Sequence, residues 1–245
     1  MSKILTFFLT ASLIIVFFAA PVSAKKKRIL VFSKTAGFHH SSIKAGVAAI
    51  QKLGLTNKFE VDTTIDAKKF TPQNLKKYAA IIFLNTTGDV LNDEQQTAFE
   101  KYIKSGGGYV GVHAATDTEF DWPWYGKLAG AWFVNHPKVQ VATLNVVNRN
   151  TISTKHLPEN WIKKDEWYNF KDINKDIKVL ITIDENSYQG GKNAPQHPMS
   201  WYHDFDGGRS FVTAMGHVEE SYSDPLFLQH LLGGIQYAMG IKKME

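Results

Sequence analysis

The sequence predicts an α/β fold in which a mostly parallel sheet carries helices on both faces. Short apolar runs alternate with amphipathic segments of helical period through the first half of the chain. The links between these segments are short, as in units that join parallel strands through a helix. Because ligands bind beyond the carboxyl ends of the strands in such open sheets, the residues that follow each apolar run are the first candidates for function.

Four apolar runs form the predicted strands of this alternating pattern. They cover residues 28–34, 59–64, 79–85 and 109–113. The first, third and fourth are almost continuously apolar, which is typical of buried strands. The run at 59–64 alternates apolar with polar residues, which also predicts a strand.

Amphipathic segments between these runs predict the helices. Segment 41–54 has apolar residues at helical spacing and ends in a glycine. Thr71 followed by Pro72 is typical of a helix start, with a capping hydroxyl and proline at the first helical position. Segment 91–108 has Asn92 or Asp93 as its candidate cap and ends in three glycines.

The pattern loosens in the second half of the chain. Residues 139–148 and 176–184 read as further strands, and residues 207–217 as a strand that leads to a loop at His217. A helix is predicted from Asp224 and Pro225 to the glycine at position 240. No repeat and no linker interrupts the chain, so residues 25–245 are predicted to form a single domain.

The first 24 residues have the features of a secretory signal peptide. Lys3 precedes an apolar run, and the small residues Val22-Ser23-Ala24 suit signal peptidase cleavage after Ala24. Retention of the run as a membrane anchor is the alternative. Cleavage predicts a secreted or periplasmic protein that keeps no stable membrane span.

Composition narrows the classes of function. The 245-residue chain contains no cysteine, which excludes disulfides, thiolate metal sites and cysteine nucleophiles. Its net charge is only +5, and a run of basic residues at 25–28 supplies much of it. Because a nucleic-acid interface needs basic residues spread over a face, no nucleic-acid partner is predicted.

Histidines and carboxylates recur where predicted strands end. His39 and His40 follow the first run, and one of this pair is expected to be structural. His113 ends the fourth run among small residues that leave room for a ligand, and Asp117 lies four residues later. Histidine titrates near neutral pH and binds metals, and a nearby carboxylate can orient or activate it.

Further candidates lie in the less regular second half. They are His136, Glu166, Trp201, His217, Glu220 and Tyr222. Aromatic rings beside polar groups suit the apolar faces of a sugar ring, so the mixture favours a carbohydrate over a nucleotide. A divalent metal such as zinc is a further possibility, with candidate ligands His39, His113, His136 and His217. The sequence contains no HExxH, GxSxG or phosphate-binding glycine loop.

Longer motifs give the chain a family resemblance. They are GFHHSSI, GGGYVGVHAATD, WYGKLAGAWFVNHP, DEWYNF and the segment from HPMSWYHDFDGG to GGIQYAMG. Together they resemble the ThuA-like family, associated with trehalose utilisation, over residues 28–240. The resemblance implies a flavodoxin-like, three-layer sandwich similar to class I glutamine amidotransferases. In those enzymes the strand-to-helix elbow carries a cysteine; here His113 is expected at the elbow, so glutamine hydrolysis by that route is excluded.

The resemblance also implies a role in sugar metabolism, on keto-sugars or keto-glycosides, by hydrolysis, elimination or isomerisation. His113 and His217 are the expected base or metal ligands, with Glu166 and Asp117 as partners or a second acid or base. The residues expected to line the substrate pocket are His39, His136, Trp201, Glu220 and Tyr222. The alternative is a sugar-binding module without catalysis. The oligomeric state is left open.

Overall fold

A nine-stranded sheet forms the centre of the molecule in the computed structural model, which describes residues 26–245. The predicted signal peptide at 1–24 lies outside the described residues. The strands are β1 Arg28–Phe32, β2 Glu60–Thr64, β3 Ala80–Leu84, β4 Gly108–Val112, β5 Trp132–Asn135, β6 Gln140–Val146, β7 Asn160–Asp165, β8 Asn169–Lys171, β9 Lys178–Ile183, β10 Pro198–Phe205 and β11 Gly208–Thr213. The helices are α1 Ile43–Asn57, α2 Pro72–Leu75, α3 Asp93–Lys104, α4 Pro123–Ala129 and α5 Pro225–Ala238.

The large sheet has a parallel half and an antiparallel half. Its strand order is β2-β1-β3-β4-β11-β10-β9-β6-β7. The first five strands in this order run parallel, and each later neighbour is antiparallel to the one before it. The α/β class is therefore confirmed, with a sheet that is mixed across its full width.

Helices cover both faces of the sheet, as β11 shows. Phe211 and Ser210 are consecutive and therefore point to opposite faces. A methyl group on Gly234 of α5 would meet the Phe211 ring, whereas the Ser210 hydroxyl donates to the carbonyl of Leu128 in α4. The sheet is thus buried between α5 on one face and α4 on the other. Strands β3 and β4 are buried at every position, as their continuous apolar runs predict.

Local sequence signals set the ends of the helices. Thr71 accepts a hydrogen bond from the backbone N–H of Asn74 and caps α2, and Asn92 and Gln95 form a reciprocal capping box at α3. Asp224 caps α5 through the N–H of Leu226. These caps lie where the sequence predicts helix starts.

A two-stranded antiparallel ribbon of β5 and β8 lies outside the large sheet. It places His136, which follows β5, near the segment that joins β7 to β8. Within residues 26–245, the longest apolar helices fall short of what a membrane crossing requires.

Candidate functional site

Four side chains converge beyond the carboxyl ends of the central strands. His40, His113, Glu166 and His217 each offer one ligand atom, and these atoms all lie within 4.8 Å of one another. The first three side chains are buried and His217 is half-buried. We call these four residues the histidine–glutamate cluster.

Three strands of the parallel half of the sheet, β1, β4 and β11, precede the histidines of the cluster. His113 follows β4 directly, His217 lies in the loop after β11, and His40 lies between β1 and α1. His113 takes the left-handed conformation with φ 49° at the point where its strand turns into a short 3-10 helix. A non-glycine residue there costs about 1–3 kcal/mol, and such strain is concentrated at functional sites.

Glu166 reaches the cluster from the opposite edge of the sheet. It follows β7, the last strand in the sheet order. The preceding residue, Asp165, is fully buried and accepts hydrogen bonds from the backbone N–H groups of Gly216 (2.9 Å) and His217 (3.0 Å). The Ser221 hydroxyl donates to it at 3.1 Å. Asp165 therefore ties the end of β7 to the loop that carries His217.

Close polar contacts connect the members of the cluster. Glu166 Oε2 lies 3.1 Å from His217 Nδ1 and 3.5 Å from His113 Nε2. The two imidazole nitrogens themselves lie 3.3 Å apart. On the outer side, His136 Nδ1 lies 3.0 Å from Glu166 Oε1. His136 Nδ1, which also lies 2.9 Å from the carbonyl oxygen of Pro137, is therefore next to the carboxylate oxygen that faces away from the cluster.

Contacts outside the cluster fix the orientation of His113. Its Nδ1 lies 2.9 Å from the carbonyl oxygen of Ala214, which can only accept, so Nδ1 carries the proton and donates. In neutral His113 the lone pair is therefore on Nε2, which faces His217 and Glu166. This arrangement, a backbone carbonyl on one ring nitrogen and the other nitrogen directed into the cluster, is the usual support of a metal-binding histidine.

Electrostatics favours a charged glutamate and a neutral His40. Burial raises the pKa of Glu166, but hydrogen bonds and charge from His113 and His217 outweigh burial and lower that pKa to about 2. Burial, followed by the neighbouring imidazoles of His113 and His217, lowers the pKa of His40 to about 3. Burial lowers the pKa of His217, yet the Glu166 carboxylate offsets this effect and leaves that pKa raised.

Two further polar side chains flank the cluster. Asp117 is half-buried, and burial raises its pKa to about 6 although His113 and His136 act in the opposite direction. The Tyr168 ring lies 4.3 Å from that of His113, centre to centre. Burial, then Glu166 and Asp117, raise the pKa of Tyr168 well above its ordinary value. Its phenol therefore stays protonated at neutral pH and can donate a hydrogen bond.

The donor set of the cluster fits a divalent cation. Three imidazoles and one carboxylate are ligands that zinc and neighbouring transition metals accept. The His40 Nδ1 atom is buried and has no hydrogen-bond partner within the described chain, a cost that a bound ligand would remove. The cluster can therefore hold a metal, and Asp117 and Tyr168 can move or supply a proton beside it.

The structure brings together five of the residues singled out from the sequence. His113, Glu166 and His217 are members of the cluster, while His136 and Asp117 flank it. The functional roles of these five residues remain predictions.

Four residues that were predicted to belong to the site are not members of the cluster and make other contacts. His39 is exposed and contacts Thr35 (3.3 Å), so its neighbour His40 is the one that enters the cluster. Trp201 is fully buried and donates to the carbonyl of Ala129, on the face covered by α4. Glu220 is exposed in the turn Glu219–Ser223.

Tyr222 contacts the backbone of the loop that carries His217. Its hydroxyl donates to the carbonyl of Gly216 at 3.0 Å, and its ring is buried against α1. Tyr222 therefore helps to fix the position of Gly216, the residue before His217.

Sequence reasoning missed His40, Asp165 and Tyr168 as participants. His39 and His40 are adjacent histidines in one loop, and only the loop's path decides which of them faces inward. Asp165 and Tyr168 lie beside Glu166 in the motif DEWYNF, so the density of polar and aromatic residues in that motif was the available signal.

Comparison with known proteins places the chain in a family. The ThuA family model, described as trehalose utilisation, matches residues 28–238, and the chain belongs to this family. This membership supports a carbohydrate-related role. None of the functionally curated proteins compared with the chain matches it.

Solved structures support the fold. A ThuA-like protein from Bacteroides uniformis ATCC 8492 is 26% identical, with a TM-score of 0.78 over 94% of this chain and 97% of its own. A ThuA-like protein from Parabacteroides merdae ATCC 43184 is 20% identical, with a TM-score of 0.75 over 89% and 91%. A β-galactosidase from Bacillus circulans sp. alkalophilus is similar over 87% of this chain but only 31% of its own, with 13% identity and a TM-score of 0.60. The similarity to the last two proteins supports only the fold.

Proposed function

We propose that this protein is an exported enzyme that acts on keto-sugars or keto-glycosides. The observation that carries the proposal is the histidine–glutamate cluster, with Asp117 beside it, at the carboxyl ends of the sheet strands. Membership of the trehalose-utilisation family directs the choice of substrate towards a sugar. Hydrolysis, elimination and isomerisation of such a substrate share one first step, which these residues suit.

That shared step is removal of a proton next to a carbonyl group. A carbonyl at carbon 3 of the sugar acidifies the C–H bond on carbon 2, and the electron pair of that bond moves to the carbonyl oxygen as the base takes the proton. Asp117 is the proposed base, because its pKa of about 6 leaves it ionised yet basic at neutral pH. Tyr168 can donate a hydrogen bond to the negative oxygen that forms, and a cation held by the cluster would add positive charge beside that oxygen.

We also propose that the cluster binds a divalent metal such as zinc. The proposed ligands are His40, His113, His217 and Glu166, whose donor atoms already converge. His136 is an outer support that holds the other oxygen of Glu166. The metal would supply positive charge next to the substrate carbonyl, which is the chemistry that the first step needs.

Proton NMR of the purified chain from Lys25 onward, mixed with 3-keto-trehalose, tests the function. New sugar resonances would support an enzyme, and their assignment would distinguish hydrolysis from elimination and isomerisation. Loss of turnover after treatment with a chelator, and its return with added zinc, would support the metal. Selective broadening of the sugar signals without conversion would favour the alternative, a sugar-binding module. The absence of both broadening and conversion would contradict the proposed substrate.

Export rests on the signal-like segment at 1–24. N-terminal sequencing of the protein recovered from the medium or periplasm of the host is expected to begin at Lys25. Recovery of full-length chain in the membrane fraction would instead support the anchor.

A further inference from the structure

An exposed aromatic ring stands beside the cluster on a well-fixed loop. Phe38 is 65% exposed, the highest exposure of any aromatic side chain among the exposed large hydrophobic residues of the described chain. It lies in the loop between β1 and α1, two residues before His40. Its ring is therefore accessible to a ligand that offers an apolar face.

Hydrogen bonds to one buried threonine hold this loop in place. Thr87 accepts from the backbone N–H groups of Ala36 (2.7 Å, to its carbonyl) and Gly37 (3.2 Å, to its hydroxyl). Its hydroxyl also donates to the carbonyl of Phe38 at 2.9 Å. The backbone on both sides of the ring is therefore fixed before any ligand arrives, which lowers the entropy cost of binding to it.

The ring of Phe38 contacts one histidine of the cluster directly. Its centre lies 4.8 Å from that of His40, in an edge-on contact. The His40 ring in turn lies 4.9 Å from His113 and 5.2 Å from His217. If the carbonyl of one sugar ring faces the cluster, Phe38 therefore lies about where the second ring of a two-ring substrate would be.

We propose that Phe38 is the platform on which the second ring of a two-ring substrate stacks. This inference rests on the proposed function and narrows its substrate class to keto-disaccharides and other keto-glycosides whose leaving group is itself a ring. The apolar C–H face of a pyranose matches an exposed aromatic face in size and in charge distribution. Phe38 is then a positioning residue, since it contacts the ring that does not react.

Steady-state kinetics of Phe38→Ala with a two-ring and a one-ring substrate tests the platform. For 3-keto-trehalose we expect KM to rise about tenfold with kcat within twofold, as for the loss of one stacking contact. For 3-keto-glucose we expect both constants to stay unchanged, and Phe38→Tyr should restore the wild-type KM for the disaccharide. The matched control is Leu55→Ala, since Leu55 is 84% exposed on α1 and should affect neither substrate.

Two kinetic results would overturn the platform. One is an equal effect of Phe38→Ala on both substrates, and the other is no effect on the disaccharide. If the wild-type chain converts neither substrate, the proposed function fails, and saturation-transfer NMR with trehalose decides the platform separately. Transfer to the sugar that is lost in Phe38→Ala but kept in Leu55→Ala would support it. Transfer to the sugar that is retained in Phe38→Ala, or that is absent with the wild-type protein, would reject the platform.

Discussion

His113 combines a strained backbone with a side chain fixed for coordination. Its φ of 49° lies in the left-handed region, where asparagine is tolerated better than alanine. Its Nδ1 donates to Ala214, which leaves Nε2 facing His217 and Glu166. The backbone and the imidazole of this residue can therefore be tested separately.

His113→Asn is expected to abolish turnover of 3-keto-trehalose and to weaken zinc binding while the protein stays folded. His113→Ala should have the same functional loss and, in addition, a free energy of unfolding about 1 kcal/mol below that of His113→Asn, because alanine is more strained at this φ. Turnover, zinc titration calorimetry and urea unfolding measure the three effects. His156→Asn is the control, since His156 lies outside the cluster and contacts the carbonyl of Leu226. Wild-type turnover in His113→Asn would remove His113 from the mechanism.

The contribution of Asp117 to the stability of the fold depends on pH. Burial raises its pKa in the folded protein to about 6, above the ordinary value of 3.8. Between these values the unfolded chain releases the proton that the folded chain retains, so this group makes folding less favourable as pH rises from about 4 to 6.

Asp117→Asn should therefore gain stability relative to the wild type as the pH is raised. We expect the difference in free energy of unfolding to be about 1 kcal/mol more favourable to the variant at pH 8 than at pH 4, after discounting for the partial exposure of the side chain. Urea unfolding at both pH values measures it, with the exposed Asp121→Asn as control. A difference that does not change with pH, or that changes equally in the control, would contradict the raised pKa.

At the scale of elements, one buried carboxylate joins the end of β7 to the loop after β11. Asp165, the last residue of β7, accepts hydrogen bonds from Gly216, His217 and Ser221, and Glu166 follows it directly. Two members of the cluster, Glu166 and His217, are therefore positioned by a single, fully buried side chain. An asparagine amide at position 165 would place an N–H group against these N–H donors, which need an acceptor.

Asp165→Asn is expected to weaken zinc binding about 10–100-fold, as for other residues that orient metal ligands. Its free energy of unfolding should fall by about 1–3 kcal/mol, because buried donors lose their acceptor. The matched control is Asp184→Asn, since Asp184 caps the short helix Glu185–Ser187. That variant should lose stability without a change in zinc affinity. Unchanged affinity in Asp165→Asn would show that the loop is positioned by other contacts.

At the scale of the whole molecule, metal binding should be linked to folding. The proposed ligands come from four segments that are distant in sequence, so they converge only in the folded chain. A ligand that binds only the folded state stabilises it by about 2.7 kcal/mol at a free concentration of 100 times its Kd.

Zinc at that concentration is therefore expected to raise the Tm of the wild-type protein by about 5–10 °C. The increase should disappear in His113→Asn and be reversed by a chelator, whereas Leu55→Ala should keep it. Differential scanning fluorimetry at matched protein concentration measures the shift. An equal shift in wild type and His113→Asn would place zinc elsewhere on the protein.

The order of strands and helices in the first half could be predicted because each element carries its own signal. The apolar runs at β1, β3 and β4 and the capping residues Thr71 and Asn92 act over a few residues. Strand β7 was not predicted, although its burial alternates, because Lys163 occupies an inward position. That lysine is accommodated by the rings of Trp161 and Phe227 and by Asp224, which are contacts that only the folded chain provides.

The sequence by itself determined the α/β class, the absence of cysteine chemistry and the polar residues that follow the strands. Each of these depends on residue type or on contacts along a short stretch of chain. Only the tertiary structure decided that His40 rather than His39 faces His113, and that Glu166 returns from the far edge of the sheet to meet them. Those choices depend on the path of loops and on the hydrogen bonds of Asp165, which join segments about fifty residues apart.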